Sequence, residues 1–454
     1  MSYKNSSIIR KKNHLKFDQN EKMFEEEEDN LSFSQFQDLL SEINSPFHQI
    51  KEEKLRKLRK IIQSRKFELL DTEIPEFLIF LMSSSNQSQF SLLLITIKDL
   101  IFYYPETIER FISSDFLNWC FSRVTSPPKA FVASILNVMV IIADHIPDLL
   151  PSIYSFLTPQ LCYDIVVSIP DSSVERKEQI GNQTLFFLLK VCIHNQNDID
   201  YCKILETIQY TMNVQECQLY LSFHCLNVLL SNNRISLEDL NYIEVVSCLK
   251  YGFSDYRDVT RTCELMISMF ENNWNGDMFP IEEAFMAIDS FKSDSCCIPL
   301  LNSIYLAIKR LSEQIVPVIL KMSYQRTLAK MIVVHDKQVQ DDIENVYSMK
   351  EAAGKTLVAL IKRCNDDLRC FGSCCVFRAL LVLLKFECSK FRINSMKSFV
   401  KIYTFMQASE KQDDFIHKFS KCDGPDIAMS FEPENNEENT VFQVFWDVVK
   451  HIDG

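Results

Sequence analysis

Three groups of residues have types and spacings that could do chemistry. The first is AAGKT at 352–356. It matches the end of a phosphate-binding loop, in which glycine-rich backbone cradles phosphates and the lysine reaches the outer ones. The leading glycine of that motif would stand at 349, where the chain has Met349. TLVALIKRC continues from the match with helical periodicity and no strand precedes it, so no phosphate cradle is expected. The second group is the densest run of thiols, Cys364, Cys370, Cys374, Cys375 and Cys388. Structural zinc sites use close CxxC pairs set a dozen or more residues apart, or cysteine with histidine. These spacings do not fit and no histidine lies nearby, so the thiols are expected to pack a helical core. The third group is KEEKLRKLRKIIQSRK at 51–66, a helix rich in cations with Leu55, Leu58, Ile61 and Ile62 as its apolar stripe. Its Lys54, Lys57, Lys60 and Arg65 are candidate partner-binding residues. They form either the polar cap of a repeat array or a docking surface for an acidic partner or an anionic membrane. The histidines make no HExxH pair, and no GxSxG elbow exists for a serine nucleophile. Carboxylate pairs such as Asp341 and Asp342 sit in charged, solvated stretches. No catalytic, cofactor-binding or metal-ligating residue is expected, and the chain reads as a non-enzyme.

The elements that would position these residues follow from composition. The chain has 454 residues, 47% of them hydrophobic, with 7 glycines and 34 phenylalanines. So little glycine disfavours tight β-turns and favours long helices joined by short polar breaks. A net charge of −13 argues against nucleic acid as a partner, which needs a basic face. The 16 cysteines are spread through apolar helical stretches and no N-terminal hydrophobic region resembles a signal peptide. That pattern implies a reducing compartment, the cytoplasm with the nucleus as second choice, where the sequons at Asn5, Asn86 and Asn182 carry no weight. The longest apolar run, at 133–143, falls short of the ~20 residues needed to span a membrane, so no transmembrane segment is expected.

Along the chain, residues 1–30 switch from a basic stretch to FEEEED and read as a disordered charged tail. Residues 31–420 keep helical periodicity, broken by SSSNQS, TSPPK, SIPDSS and SNNR, stretches that cap and stop helices. Residues 421–454 read as an acidic tail with a short terminal helix. Inside the helical region one pattern returns. A shift of 42 residues pairs Leu93 with Ile135, Leu94 with Leu136, Ile97 with Met139, Leu100 with Ile142, Pro105 with Pro147 and Cys120 with Cys162. Only apolar positions and the proline repeat, as expected where each unit packs on its neighbours. A period near 42 lies in the range of two- and three-helix repeats and gives about nine irregular units. The fold class expected is therefore an all-α, armadillo-like α–α superhelix (α-solenoid).

The segment 34–145 resembles the first armadillo repeats of importin-α. SQFQDLLSEINSP at 34–46 is similar to that family's opening helix, and IPEFLIFL at 74–81 to its IPxFVxFL helix. NQSQFSLLLITIKDLIF at 86–102 sits where the family has its groove-lining third helix. The resemblance implies armadillo architecture and a groove for basic localisation peptides, held by a ladder of Trp and Asn four residues apart. The matching positions here are Ile95 and Asp99, then Asn137 and Ile141, so the ladder is missing. The reading is a protein-interaction scaffold presenting an extended groove to protein or peptide partners. The alternatives are a divergent importin-α-like nuclear import adaptor and a regulatory subunit of a larger complex.

Overall fold

The computed structural model describes residues 38–39, 41, 52–64 and most of 74–453; the stretches 85–86, 113, 126–130, 169–173, 195–198, 214–218, 241, 277, 292–294, 335–342 and 366 are excepted. The N-terminal tail at 1–30 and Arg65 lie outside the described residues. Every regular element among the described residues is a helix. Backbone contacts divide the chain into two compact units, the first running to residue 122 and the second from 123.

In the first unit α1 (Glu52–Ser64) and α2 (Ile74–Ser84) both pack on α3 (Gln87–Tyr103), and α4 (Ser114–Thr125) begins after a short helical turn. The apolar stripe read from the sequence is the buried face of α1: Leu55, Leu58 and Ile62 are fully enclosed and Ile61 nearly so. Leu93, Leu94, Ile97 and Leu100 of α3 are fully buried.

The second unit opens with α5 (Val132–His145), α6 (Pro159–Val167), α7 (Val174–His194), α8 (Tyr201–Met212) and α9 (Leu219–Ser231). It continues through α10 (Tyr242–Leu249), α11 (Tyr256–Glu271), α12 (Ile281–Ser290), α13 (Cys297–Arg310), α14 (Ser312–Lys321) and α15 (Tyr324–Val334). It ends with α16 (Ile343–Arg363), α17 (Cys374–Leu384), α18 (Ser389–Ala408), α19 (Gln412–Ser420), α20 (Gly424–Met429) and α21 (Asn436–Asp453). The packing order is regular. Helices α5, α7, α9, α11, α13, α16, α18 and α21 form one layer, each against the next, and most of the remaining helices pack against it. Such successive side-by-side stacking makes the fold an all-α solenoid.

The 42-residue echo has a backbone counterpart. Pro105 and Pro147 each open a 3-10 turn, after Tyr104 (φ −132°, ψ 69°) and Ile146 (φ −128°, ψ 80°). Proline fits there because its missing N–H is one that a helix start leaves unused. Ile135, Leu136, Met139 and Ile142 are fully buried, like their first-unit counterparts. Hydrogen bonds between neighbouring repeats keep the period: Cys225 Sγ to the Leu185 carbonyl spans 40 residues, Ser268 to Asn227 spans 41 and Tyr220 N–H to Asp258 spans 38.

Residues 421–454, read as an acidic tail with a short terminal helix, do end in a helix, α21, and that helix packs on the fold. Helix α21 packs along α18, and Phe445 joins a buried aromatic cluster with Phe399 at 5.6 Å and Phe419 at 6.3 Å between ring centroids. At the start of α21 Arg392 pairs with two carboxylates: Nε donates to the buried Glu438 at 2.7 Å, and Nη1 donates to the exposed Glu434 just before the helix at 2.8 Å. Composition alone gave Glu438 to solvent, because its cation lies 46 residues upstream.

Candidate functional site

The basic helix α1 spends much of its charge internally. Arg56 and Lys57 reach back one turn to Glu52 and Glu53 at 3.5 and 3.7 Å. Arg59 turns inward and donates from Nε to the fully buried carboxylate of Asp99 at 2.6 Å, beside Gln63 Nε2 at 2.7 Å. Lys57 and Lys60 are exposed and Lys54 is half-buried. Asp99 is the position where the importin-α resemblance places a ligand-clamping amide. Here it is a buried structural carboxylate.

The other chemistry-bearing motifs are absorbed by packing. Gly354 lies inside α16, where a Cβ would stand 2.7 Å from Leu383 Cδ2, so the glycine lets α17 approach. Lys355 pairs with Glu351 at 2.7 Å, and the Thr356 hydroxyl lies 2.8 Å from the Ala352 carbonyl. The expected all-buried thiol cluster needs correction. Cys364 is buried, but Cys370, Cys374 and Cys375 are half-buried and Cys388 is exposed. Cys364, Cys370 and Cys388 fall between the α-helices and Cys374 and Cys375 open α17; Cys364 and Cys370 both donate to the Asp367 carbonyl, at 3.6 and 3.1 Å. Among the described residues, no group of three or more His, Cys, Asp or Glu side chains could hold a metal ion. Burial pushes the Cys162 and Cys192 thiols up to about 12 and raises Cys120 and Cys263 further. Because the thiolate is the reactive form, iodoacetamide is expected to alkylate exposed Cys202 and Cys388 in the native protein well before these four. Mass-spectrometric mapping that finds Cys162 labelled as fast as Cys388 would contradict the packing described.

What remains is the side of the second unit's layer that the covering helices leave open. A layer helix has neighbours on both flanks and a cover behind, so only one stripe of it meets solvent. Across α5, α7, α9 and α11 that stripe carries polar pairs alongside the half-buried Ile141 and Phe186. Asp144 pairs with Lys190, and Arg261 pairs with Glu264 at 2.6 Å. The Arg257 guanidinium lies over the Tyr220 ring at 5.5 Å, and Asn227 accepts from Ser268 at 2.5 Å. His224 sits among them. Its burial, reinforced by the charges of Arg261 and Lys190, pushes its pKa down to about 3. It is therefore neutral near pH 7 and cannot exchange protons there as a catalytic histidine would. Burial, aided by Asp255, lifts Asp258 to about 6 while it accepts the Tyr220 N–H at 3.0 Å. This arrangement can offer charges and amides to a ligand. The sequence hides it because successive members lie about one repeat apart and belong to different residue types.

Neither known protein families nor curated protein sequences match this chain. Solved structures do. An engineered protein from a structural genomics consortium aligns over 91% of this chain and 98% of its own, at 11% identity and a TM-score of 0.58. A chain from a study of a phosphorylation switch in the interaction between cadherin and beta-catenin aligns over 91% and 94%, at 11% identity and a TM-score of 0.45. Importin beta aligns over 91% of this chain but 55% of its own, at 10% identity and a TM-score of 0.37. At these identities the likeness concerns fold. The class is an all-α solenoid, and no described helix is long and apolar enough to cross a membrane.

Proposed function

We propose that this chain is a non-enzymatic scaffold whose open layer face in the second unit receives a protein or peptide partner, in the cytoplasm or the nucleus. The observation that carries the reading is the layer from α5 to α21, in which each helix leaves one stripe to solvent. Neighbouring stripes make an extended surface, and extended surfaces are what stacked repeats use for binding. Resemblance to importin-α supports the same class of function. The adaptor alternative loses support at Asp99, which the Arg59 pair occupies. Docking of an acidic partner on Lys54, Lys57 and Lys60 of α1 is the second reading, favoured by the exposure of Lys57 and Lys60.

Photo-cross-linking separates these readings. Benzoylphenylalanine at Asn302 and Thr404, on the open face, is expected to capture one and the same protein from extract. The same residue at Glu206 or Glu313, on the covering helices, is expected to capture none. Silence from the open-face positions would end the scaffold reading. Reversal of Lys57 and Lys60 to Glu should leave helicity unchanged, since exposed charges contribute only ~0–1 kcal/mol each. If that variant retains the captured partner and every other, α1 is only a solvated cap.

A further inference from the structure

The charge of the second unit's open face is not that of the whole protein. Helix α18 carries Lys390, Arg392, Lys397 and Lys401 and no carboxylate from Ser389 to Ala408. Two of these cations are committed. Arg392 holds Glu434 and Glu438, and the Lys401 ammonium donates to the carbonyls of Ile361, Lys362 and Cys364 at 3.0, 2.9 and 2.7 Å. Lys390 and Lys397 are exposed. They stand two turns apart on the stripe that also holds Asn394 and Thr404, so they face the same way. Neighbouring α16 presents Lys355, whose side chain is 46% exposed and pairs with Glu351 at 2.7 Å, and ends in exposed Lys362 and Arg363. Next along the layer, α13 has no carboxylate from Cys297 to Arg310 and ends in exposed Lys309 and Arg310. Helices α13, α16 and α18 are consecutive in the layer. Their open stripes therefore adjoin.

We propose that this α13–α16–α18 face is the docking site for an extended acidic segment of a partner protein, a specification that rests on the scaffold reading. Layer helices packed about 8–10 Å apart would each meet about every third residue of an extended chain, which advances ~3.3 Å per residue. The segment is thus a strand-like peptide with a carboxylate near every third position. Lys309, Lys355, Lys390 and Lys397 contact those carboxylates, and Asn302 and Asn394 supply amides for its backbone. A long polyanion such as nucleic acid fits less well, because the chain as a whole carries −13 and repels charge that extends beyond the patch.

The test uses the full chain and three labelled probes of equal length. They are a synthetic peptide with Asp or Glu at every third position, the same peptide with Lys there, and oligothymidylate. Fluorescence anisotropy should show the acidic peptide binding, with affinity falling as salt rises through the physiological ~0.15 M. The Lys peptide should not bind. K390E/K397E should weaken the acidic peptide by about tenfold or more without shifting the melting temperature, since both side chains are exposed. K390Q/K397Q, which removes charge without reversing it, should give a smaller loss in the same direction. Equal binding of acidic and Lys peptides, tighter binding of oligothymidylate, or unchanged affinity in both double variants would each overturn the proposal. So would failure of the acidic peptide to bind at all. Because cross-linking from Asn302 and Thr404 needs no assumption about charge, capture there alongside a failed peptide would sink this inference and leave the scaffold reading standing.

Discussion

Arg392→Ala is expected to destabilise the second unit by about 3–5 kcal/mol, the cost of removing one partner from a buried ion pair. The Arg392 side chain is 8% exposed and Glu438 is fully buried. Besides Nε to Glu438, the guanidinium reaches the Phe386 carbonyl at 3.2 Å, which ties α17's end to α18 and α21. Truncation leaves the Glu438 carboxylate enclosed with only its hydrogen bonds for support, among them the Glu434 N–H at 2.8 Å. Urea unfolding should show the loss, and hydrogen exchange should show α21 protecting less than α13. The double variant R392M/E438L should recover most of it, since apolar groups of similar volume fill such sites without the desolvation cost. A loss below ~1 kcal/mol in the single variant would match an exposed pair instead. The pH dependence has a defined sign. Burial pushes the Glu438 carboxyl up, but hydrogen bonds from Glu434 N–H, Ser389 and Arg392 outweigh it and hold the pKa below the ordinary value. A depressed folded pKa means that its stabilisation is complete above the ordinary glutamate value of about 4.3 and is lost as pH falls below it.

That pair marks the limit of what could be read in the sequence. The apolar half of the fold was legible, because burial imposes the same periodicity on every repeat. Leu93 and Ile135, Ile97 and Met139, Pro105 and Pro147 all occupy the equivalent places the 42-residue shift assigned them. The apolar stripe of α1 was legible for the same reason. Polar pairing was not, since a single buried Arg392 or Asp99 leaves no periodic trace and its partner lies about one repeat away. Composition therefore turned Glu438 into part of a solvated tail and Arg59 into one more surface cation. The thiols were misread for a related cause. Cys388 falls just before α18, and an exposed turn between helices looks in sequence much like the helices around it. The open face was invisible as a unit because its cations, Lys309, Lys355, Lys390 and Lys397, each belong to a helix that reads as ordinary alone.

The same contrast fixes the second large expected effect, which lies in the first unit. Arg59→Ala should cost about 3–5 kcal/mol, whereas Lys57→Ala and Lys60→Ala, on the same helix with the same charge, should cost ~0–1 kcal/mol each. The difference is the partner. Asp99 is fully buried, and Arg59, itself 12% exposed, approaches its Oδ2 at 2.6 Å. Gln63 Nε2 donates to that same oxygen at 2.7 Å, while Oδ1 has no hydrogen-bond partner and only the Lys98 ammonium at 3.4 Å for charge. Removing Arg59 strands a carboxylate whose remaining support is one amide and one lysine. Because the structure divides near residue 122, the loss should appear as faster hydrogen exchange in α1 and α3 with α16 and α18 unchanged. Asp99→Asn tests the competing role directly. If the position served a localisation peptide as in importin-α, the amide would restore a ladder residue, raising basic-peptide affinity at little cost in stability. If it serves Arg59, the amide loses the charge that neutralises the guanidinium, and stability falls by about 1–3 kcal/mol with no gain in peptide binding. Equal melting temperatures for wild type, Arg59→Ala and Asp99→Asn would remove this pair from the first unit's core and return α1's cations to a single exposed class.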